Sequence, residues 1–181
     1  MSNSEDYQLR VLIQQETIEK KILEVSKQIN EDYKGEEVLA LSVLKGGVIF
    51  AADLVRQLTM PLQLDFIQLS SYGVKKESSG DVQGLSVDHL TIKGHHILIV
   101  EDIVDTGLTL IKLKDLLLSK GAASVKIVAC CYKKEKADAS LVVDYFCFEL
   151  GDDFVVGYGM DFAQKHRNLP YIGVMDERKD D

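Results

Sequence analysis

Apolar residues at Ile18, Ile22, Val25 and Ile29 recur every three to four positions, with Glu19, Lys20, Lys27 and Gln28 between them. That period lays one apolar stripe along a helix, so an amphipathic first helix is expected over 18–29. Residues 38–44 form a compact apolar run too short for a buried helix. Lys45-Gly46-Gly47 and a second helical pattern over 48–58 follow it, and the unit reads strand, tight turn, helix. Leu62, Leu64 and Phe66 alternate with Gln63 and Asp65, predicting a second strand that runs to Leu69 and ends at Ser70-Ser71-Tyr72-Gly73. A third strand is expected over 96–100 and a fourth over 124–132. Between them Leu110, Leu113 and Leu117 predict a helix over 110–119. Strands alternating with helices imply an α/β fold, a parallel sheet with helices on both faces and right-handed crossovers. Ligands then gather at the carboxyl ends of the strands.

Two stretches break this rhythm. Residues 73–86 hold charges, glycines and serines with few large apolar side chains, so burial cannot hold them, and a mobile loop is expected over 72–87. Beyond Lys136 the pattern becomes short strands near 144–149, 154–156 and 172–174, separated by Gly-containing turns. These predict a small hood or lid beside the main sheet, built from the N-terminal segment and about 145–181. The 181 residues, with 13 Gly and 2 Pro, fit one domain over 1–181 rather than modules on linkers.

The 21 basic against 29 acidic side chains give a net charge of -8, which lacks the broad positive field that non-specific nucleic-acid binding needs. No nucleic-acid partner is expected. A multiply charged anion remains compatible, provided local donors and a metal ion supply the attraction. Residues 1–6 are polar and acidic without a basic flank, no run nears the roughly 20 apolar residues of a membrane span, and Cys130, Cys131 and Cys147 lie in strand-like runs. A cytoplasmic protein with buried, reduced thiols and no membrane partner is expected.

The chemistry concentrates in Val100-Glu101-Asp102-Ile103-Val104-Asp105-Thr106-Gly107-Leu108-Thr109. An apolar strand ends in two acids, and a Thr-Gly-x-Thr turn then opens a helix. The free amides of a helix start, its dipole and the hydroxyls of Thr106 and Thr109 make a cradle for a phosphate, and Gly107 lets the backbone come close. Glu101 and Asp102 stand where they can accept hydrogen bonds from the vicinal hydroxyls of a ribose whose 5-phosphate fills that cradle. Asp105-Thr106-Gly107 also fits a plain helix cap. Two adjacent acids closing a buried strand are harder to explain as structure, because their charges repel and are costly to desolvate. No phosphate-loop or complete dinucleotide glycine pattern exists elsewhere in the chain.

This segment closely resembles the signature of type I phosphoribosyltransferases, which bind 5-phosphoribosyl-1-pyrophosphate. Leu44-Lys45-Gly46-Gly47, Ser71-Tyr72-Gly73, Tyr132-Lys133-Lys134, Phe154-Val155-Val156-Gly157-Tyr158-Gly159-Met160-Asp161 and Arg167-Asn168-Leu169-Pro170-Tyr171 are similar, in matching order, to the hypoxanthine-guanine branch of that family. The likeness runs from about 38 to 174. It implies a purine salvage enzyme that joins hypoxanthine or guanine to ribose 5-phosphate and expels pyrophosphate.

On that resemblance Glu101, Asp102, Asp105, Thr106, Gly107, Leu108 and Thr109 bind the ribose phosphate, with Asp105 as general base. Lys45, Gly46, Gly47 and Arg167 hold pyrophosphate, and the family often has a cis peptide before this Lys. Lys133, Phe154, Val155 and Asp161 receive the purine. Lys133 donates to its 6-oxo group, which disfavours adenine, and Phe154 stacks on the ring. Ser71 and Tyr72 belong to a closing loop, Mg²⁺ is the cofactor with Glu101, Asp102 and Asp161 as its ligands, and a homodimer or homotetramer is implied. This chain departs from the family pattern at Leu108, where a polar or basic residue is usual, at Asp153, where a basic one is common, and at Phe162 in place of Tyr. Lys133 to Lys136 also reads as a solvated charge run. A nucleotide-sensing regulator and a xanthine-preferring enzyme are the alternatives on the same fold, the first disfavoured by the retained Lys45, Asp105, Asp161 and Arg167. His89, His95, His96 and His166 lack metal-ligand spacing and carry no assigned chemistry.

Overall fold

A computed structural model describes residues 7–69 and 87–177. In chain order these form β1 (Tyr7–Ile13), α1 (Gln15–Asp32), β2 (Val38–Leu44), α2 (Gly47–Val55), β3 (Leu62–Gln68), β4 (His96–Val104), α3 (Leu108–Ser119), β5 (Ser124–Tyr132), β6 (Tyr145–Glu149), β7 (Val155–Val156) and β8 (Ile172–Glu177). The main sheet has the order β3-β2-β4-β5-β6, with every pair parallel. A second, antiparallel sheet has the order β1-β8-β7.

The pleat of β2 explains the two-layered core. Val38 and Ala40 point to one face, where Ile18, Ile22, Val25 and Ile29 of α1 and Phe50, Ala51 and Leu54 of α2 cover them. Leu39, Leu41 and Val43 point to the other, against Leu110, Leu113 and Leu117 of α3. Both faces are covered, so β2, β4 and β5 read as continuous apolar runs. Each fully buried side chain of this size contributes about 1.5–3 kcal/mol relative to exposure.

Several boundaries differ from the sequence expectation for local reasons. α2 stops at Val55 instead of continuing to 58, because the amides of Gln57 and Leu58 bond back to Leu54 and Val55 and tighten the last turn. β4 runs past Val100 through the acidic pair to Val104, held by its register with β5 as far as Tyr132. β1 was not expected as a strand. Its mostly solvent-facing residues carry little periodic signal, and pairing with the distant β8 creates it.

The strand near 144–149 was grouped with the hood, but β6 pairs in parallel with β5 and forms the edge of the main sheet. The small sheet is therefore β1, β7 and β8. Leu64 and Phe66, the apolar positions of β3, are 42% and 38% exposed while Ile67 is buried, so the visible alternation faces outward from a single chain. The three cysteines are free and buried, and among the described residues no helix is long and apolar enough to cross a membrane. Most of the loop expected over 72–87 lies outside the described residues.

Candidate active site

The parallel sheet delivers three turns to one edge: those after β2, β4 and β5. After β2 the Leu44–Lys45 peptide is cis, and Gly46 packs directly on Asp102, the second of the two acids of β4. A Cβ built on Gly46 would lie 1.7 Å from Asp102 Oδ2 and 2.4 Å from its Cγ, so only glycine permits this approach. Glu101 is buried, and its Oε1 accepts a hydrogen bond from the Asp102 amide at 3.2 Å. Burial first, and then the neighbouring Asp102 carboxyl, push the Glu101 carboxyl well above the usual range.

β4 then yields to the segment Asp105–Thr106–Gly107, and α3 opens at Leu108. Gly107 takes a left-handed conformation, φ 71°, and α3 has no side-chain cap and no acid in its first turn. The plain helix-cap reading of Asp105-Thr106 is thus not what the structure contains. Its first amides are left for an external anion. A cavity of about 310 Å³ opens on them, lined by Glu101, Asp105, Thr106, Gly107, Leu108 and Thr109 among others. Leu108 brings an exposed apolar side chain to that wall, so its contribution there is its backbone.

A second cavity, of about 190 Å³, is lined by Asp102, Ile103, Asp105, Lys133, Phe154, Val155, Met160 and Asp161. Asp105 and Ile103 belong to both cavities, which places the Asp105 carboxylate where their contents would meet. Lys133 is buried, and its ammonium donates to the carbonyl of Asp153 at 2.8 Å and, at 3.4 Å, to that of Asp152. Phe154 meets Phe162 edge-on at 5.7 Å between centroids, and Phe162 in turn meets Tyr7 of β1 at 5.4 Å. The small sheet is tied to the smaller cavity through this aromatic row.

The loop between β7 and β8 closes the edge. Gly159 lies against the carbonyl of Gly46, and the Gly159 carbonyl accepts a hydrogen bond from Arg167 Nη1 at 2.8 Å. Arg167 Nη2 pairs with Asp161 Oδ1 at 2.6 Å, and Asp161 Oδ2 accepts from the Gln164 amide. The Gln164 side-chain oxygen also lies 3.4 Å from both Lys45 Nζ and Arg167 Nη2. Lys45 and Arg167 therefore converge on one polar side chain, as a shared anion would require.

The three acids expected to hold a metal do not converge. Asp102 and Asp161 line the smaller cavity and Glu101 lines the other, and among the described residues no cluster of three metal-ligating side chains exists. Such a set suits an ion carried mainly by substrate oxygens with one or two protein carboxylates, the usual habit of Mg²⁺.

Several contributors gave no usable sequence signal. Gln164 and Leu141 meet the site only through tertiary packing. Lys136, inside what reads as a charge run, pairs with Asp152 and lies 4.0 Å from Asp105. Ser71 and Tyr72 lie outside the described residues.

Residues 12–163 match the family model described as phosphoribosyl transferase domain. The hypoxanthine-guanine phosphoribosyltransferase of Bacillus subtilis is 43% identical over 166 residues, 92% of each chain. A crystal structure of a hypoxanthine-guanine phosphoribosyltransferase from Bacillus anthracis superposes with a TM-score of 0.83 at 40% identity, covering 91% of this chain and 96% of that one. A point mutant of the hypoxanthine phosphoribosyltransferase from Trypanosoma cruzi, solved as a ternary substrates complex, gives a TM-score of 0.84 at 38% identity, covering 95% of this chain and 97% of that one.

Proposed function

Because the chain belongs to the phosphoribosyl transferase family, in its hypoxanthine-guanine branch, we propose that it transfers the 5-phosphoribosyl group from 5-phosphoribosyl-1-pyrophosphate to hypoxanthine or guanine. The products are inosine or guanosine monophosphate and pyrophosphate, and the role is purine salvage in the cytoplasm. The observation that carries the residue assignment is the position of Asp105 in the wall shared by the two cavities. An imidazole nitrogen of the purine attacks C1 of the sugar, the C1–O bond to pyrophosphate breaks, and the nitrogen's proton passes to Asp105.

Around that step each residue has a stated task. Amides of Gly107, Leu108 and Thr109 with the Thr106 and Thr109 hydroxyls take the 5-phosphate. Glu101 and Asp102 accept from the ribose hydroxyls. Lys45, the Gly46 and Gly47 amides and Arg167 take pyrophosphate, with Arg167 exchanging its present partner Asp161 for the anion. Magnesium bound to the pyrophosphate would neutralise charge growing on the leaving group. Asp102 and Asp161 are the carboxylates placed to touch it.

Lys133 reads the purine. Its ammonium is held by the carbonyls of Asp152 and Asp153 and Lys133 lines the smaller cavity, which supports it as the donor to a 6-oxo acceptor. Phe154 is exposed and lines the same cavity, which supports it as the stacking face. Lys133→Ala is expected to raise the KM for hypoxanthine by about 10- to 100-fold, since hydrogen bonds from charged donors are worth roughly 1.5–3 kcal/mol. Equal use of hypoxanthine by parent and variant would contradict the assignment.

A spectrophotometric assay of hypoxanthine, guanine, xanthine, adenine and uracil with the activated sugar and Mg²⁺ tests the whole reading. Turnover of the 6-oxopurines that stops in excess chelator is expected. No turnover of any base, or full activity with the metal removed, would sink it. The exposed Leu64 and Phe66 of edge strand β3, with exposed Val48 and Ile49 on α2, support a homodimer or homotetramer. Light scattering that returned the mass of a single chain would overturn that part.

A further inference from the structure

The segment joining β5 to β6 runs beside the phosphate loop, contact by contact and in the same order. The Lys133 amide donates to the Val104 carbonyl at 2.9 Å, Lys136 stands 4.0 Å from Asp105, and the Asp138 amide donates to the Thr106 carbonyl at 3.0 Å. Leu141 completes the series at Gly107. A Cβ on Gly107 would fall 2.1 Å from Leu141 Cδ2 and 3.3 Å from its Cγ, so the isobutyl group fills the place a side chain would need. Leu141 is buried in the cluster that also holds Val104 and Leu110. Its own position is set by a turn: the Asp138 carboxylate accepts from the Ser140 amide at 2.8 Å and from its hydroxyl at 2.6 Å, and the Leu141 amide donates to the Asp138 carbonyl at 2.9 Å.

We infer that this segment is a strap that sets the height and tilt of the phosphate cradle, with Asp138 and Leu141 as positioning residues for the 5-phosphate of the activated sugar. The physical argument is that the cradle is backbone. Its amides are aimed by φ and ψ at Thr106 and Gly107, and no side-chain cap holds them. What fixes those angles is the hydrogen bond on one side of Thr106 and the apolar stop beneath Gly107. A shift of about 1 Å in such a donor set costs on the order of 10²-fold in rate or affinity. The strap begins at Lys133, yet Lys133 is anchored separately by the carbonyls of Asp152 and Asp153. Loosening the strap at its far end therefore acts on the phosphate and spares the purine.

The inference rests on the phosphoribosyltransferase reading and is tested by calorimetric titration of the whole protein with phosphoribosyl pyrophosphate and Mg²⁺, alongside steady-state KM values. Leu141→Ala is expected to weaken uptake of the activated sugar roughly tenfold and Asp138→Ala roughly threefold, with the KM for hypoxanthine inside about twofold of the parent. Leu141→Met, which refills the space beneath Gly107, should return affinity to within about twofold of the parent. If Leu141→Ala does not fold, Asp138→Ala decides, because its side chain is exposed. Parent-like sugar affinity in the folded variants would overturn the inference. So would an equal loss for both substrates, which would mark a general structural role. Absence of uptake by the parent protein would instead overturn the enzymatic reading itself, and is visible before any variant is made.

Discussion

Replacing Asp105 by Asn is expected to lower the single-turnover rate by about 10²- to 10⁴-fold, the range a positioned general base contributes, while binding of the activated sugar stays within about threefold. The side chain is 53% exposed, so the isosteric amide creates no buried defect. It cannot take a proton, however, and among the described residues Asp105 is the one carboxylate that lines both cavities. The cradle amides that follow it in the chain are untouched by the change. Lys136 loses its weaker partner and keeps Asp152. Rapid-quench measurement with enzyme in excess isolates the chemical step, and an unchanged rate would remove Asp105 from that role.

Gly46→Ala is the second large effect, and its signature is a split between activity and stability. The three atoms nearest the added methyl all belong to the Asp102 carboxylate, at 1.7, 2.4 and 2.9 Å. A side chain can turn aside where backbone cannot, so the fold accommodates the methyl and the site does not. On the role proposed for Asp102, a carboxylate moved by about 1 Å or more would leave the ribose hydroxyls and the metal-bearing oxygens unmet. We expect kcat/KM to fall on the order of 10²-fold, with Tm lowered by less than about 4 °C, equivalent to roughly 1 kcal/mol in a chain of this size. Parent-like kcat/KM would show that the position of Asp102 does not matter. A large drop in Tm would show that the turn after β2 is structural first.

The periodic elements were legible because their signal is local. Ile18 to Ile29 and the runs of β2 and β5 each report their own environment through spacing, and the observed α1, β2 and β5 contain or match the expected spans. The acidic pair and the Thr-Gly turn were legible for a related reason: the end of a parallel strand and the start of the next helix are adjacent in the chain, so one short stretch carries most of the proposed phosphate cradle. Elements whose existence depends on a distant partner were not. β1 exists through β8, and β6 joins the main sheet through β5 although its residues are as short and Gly-flanked as those of the small sheet.

Residues 44–47, 101–109, 133, 154–161 and 167, read in order, determined by themselves the chemical kind of this protein. They are the groups proposed to bind a phosphorylated sugar and a 6-oxopurine, and residue type alone carries the family likeness on which that proposal rests. The tertiary structure decided how they combine: that Asp105 faces both cavities, that Gly46 and Asp102 share one space, that the three acids do not gather around one point, and that Leu141 sits under Gly107. Those are distances between segments far apart in the chain, set by packing and by hydrogen bonds across the sheet, and no local pattern of residues encodes them.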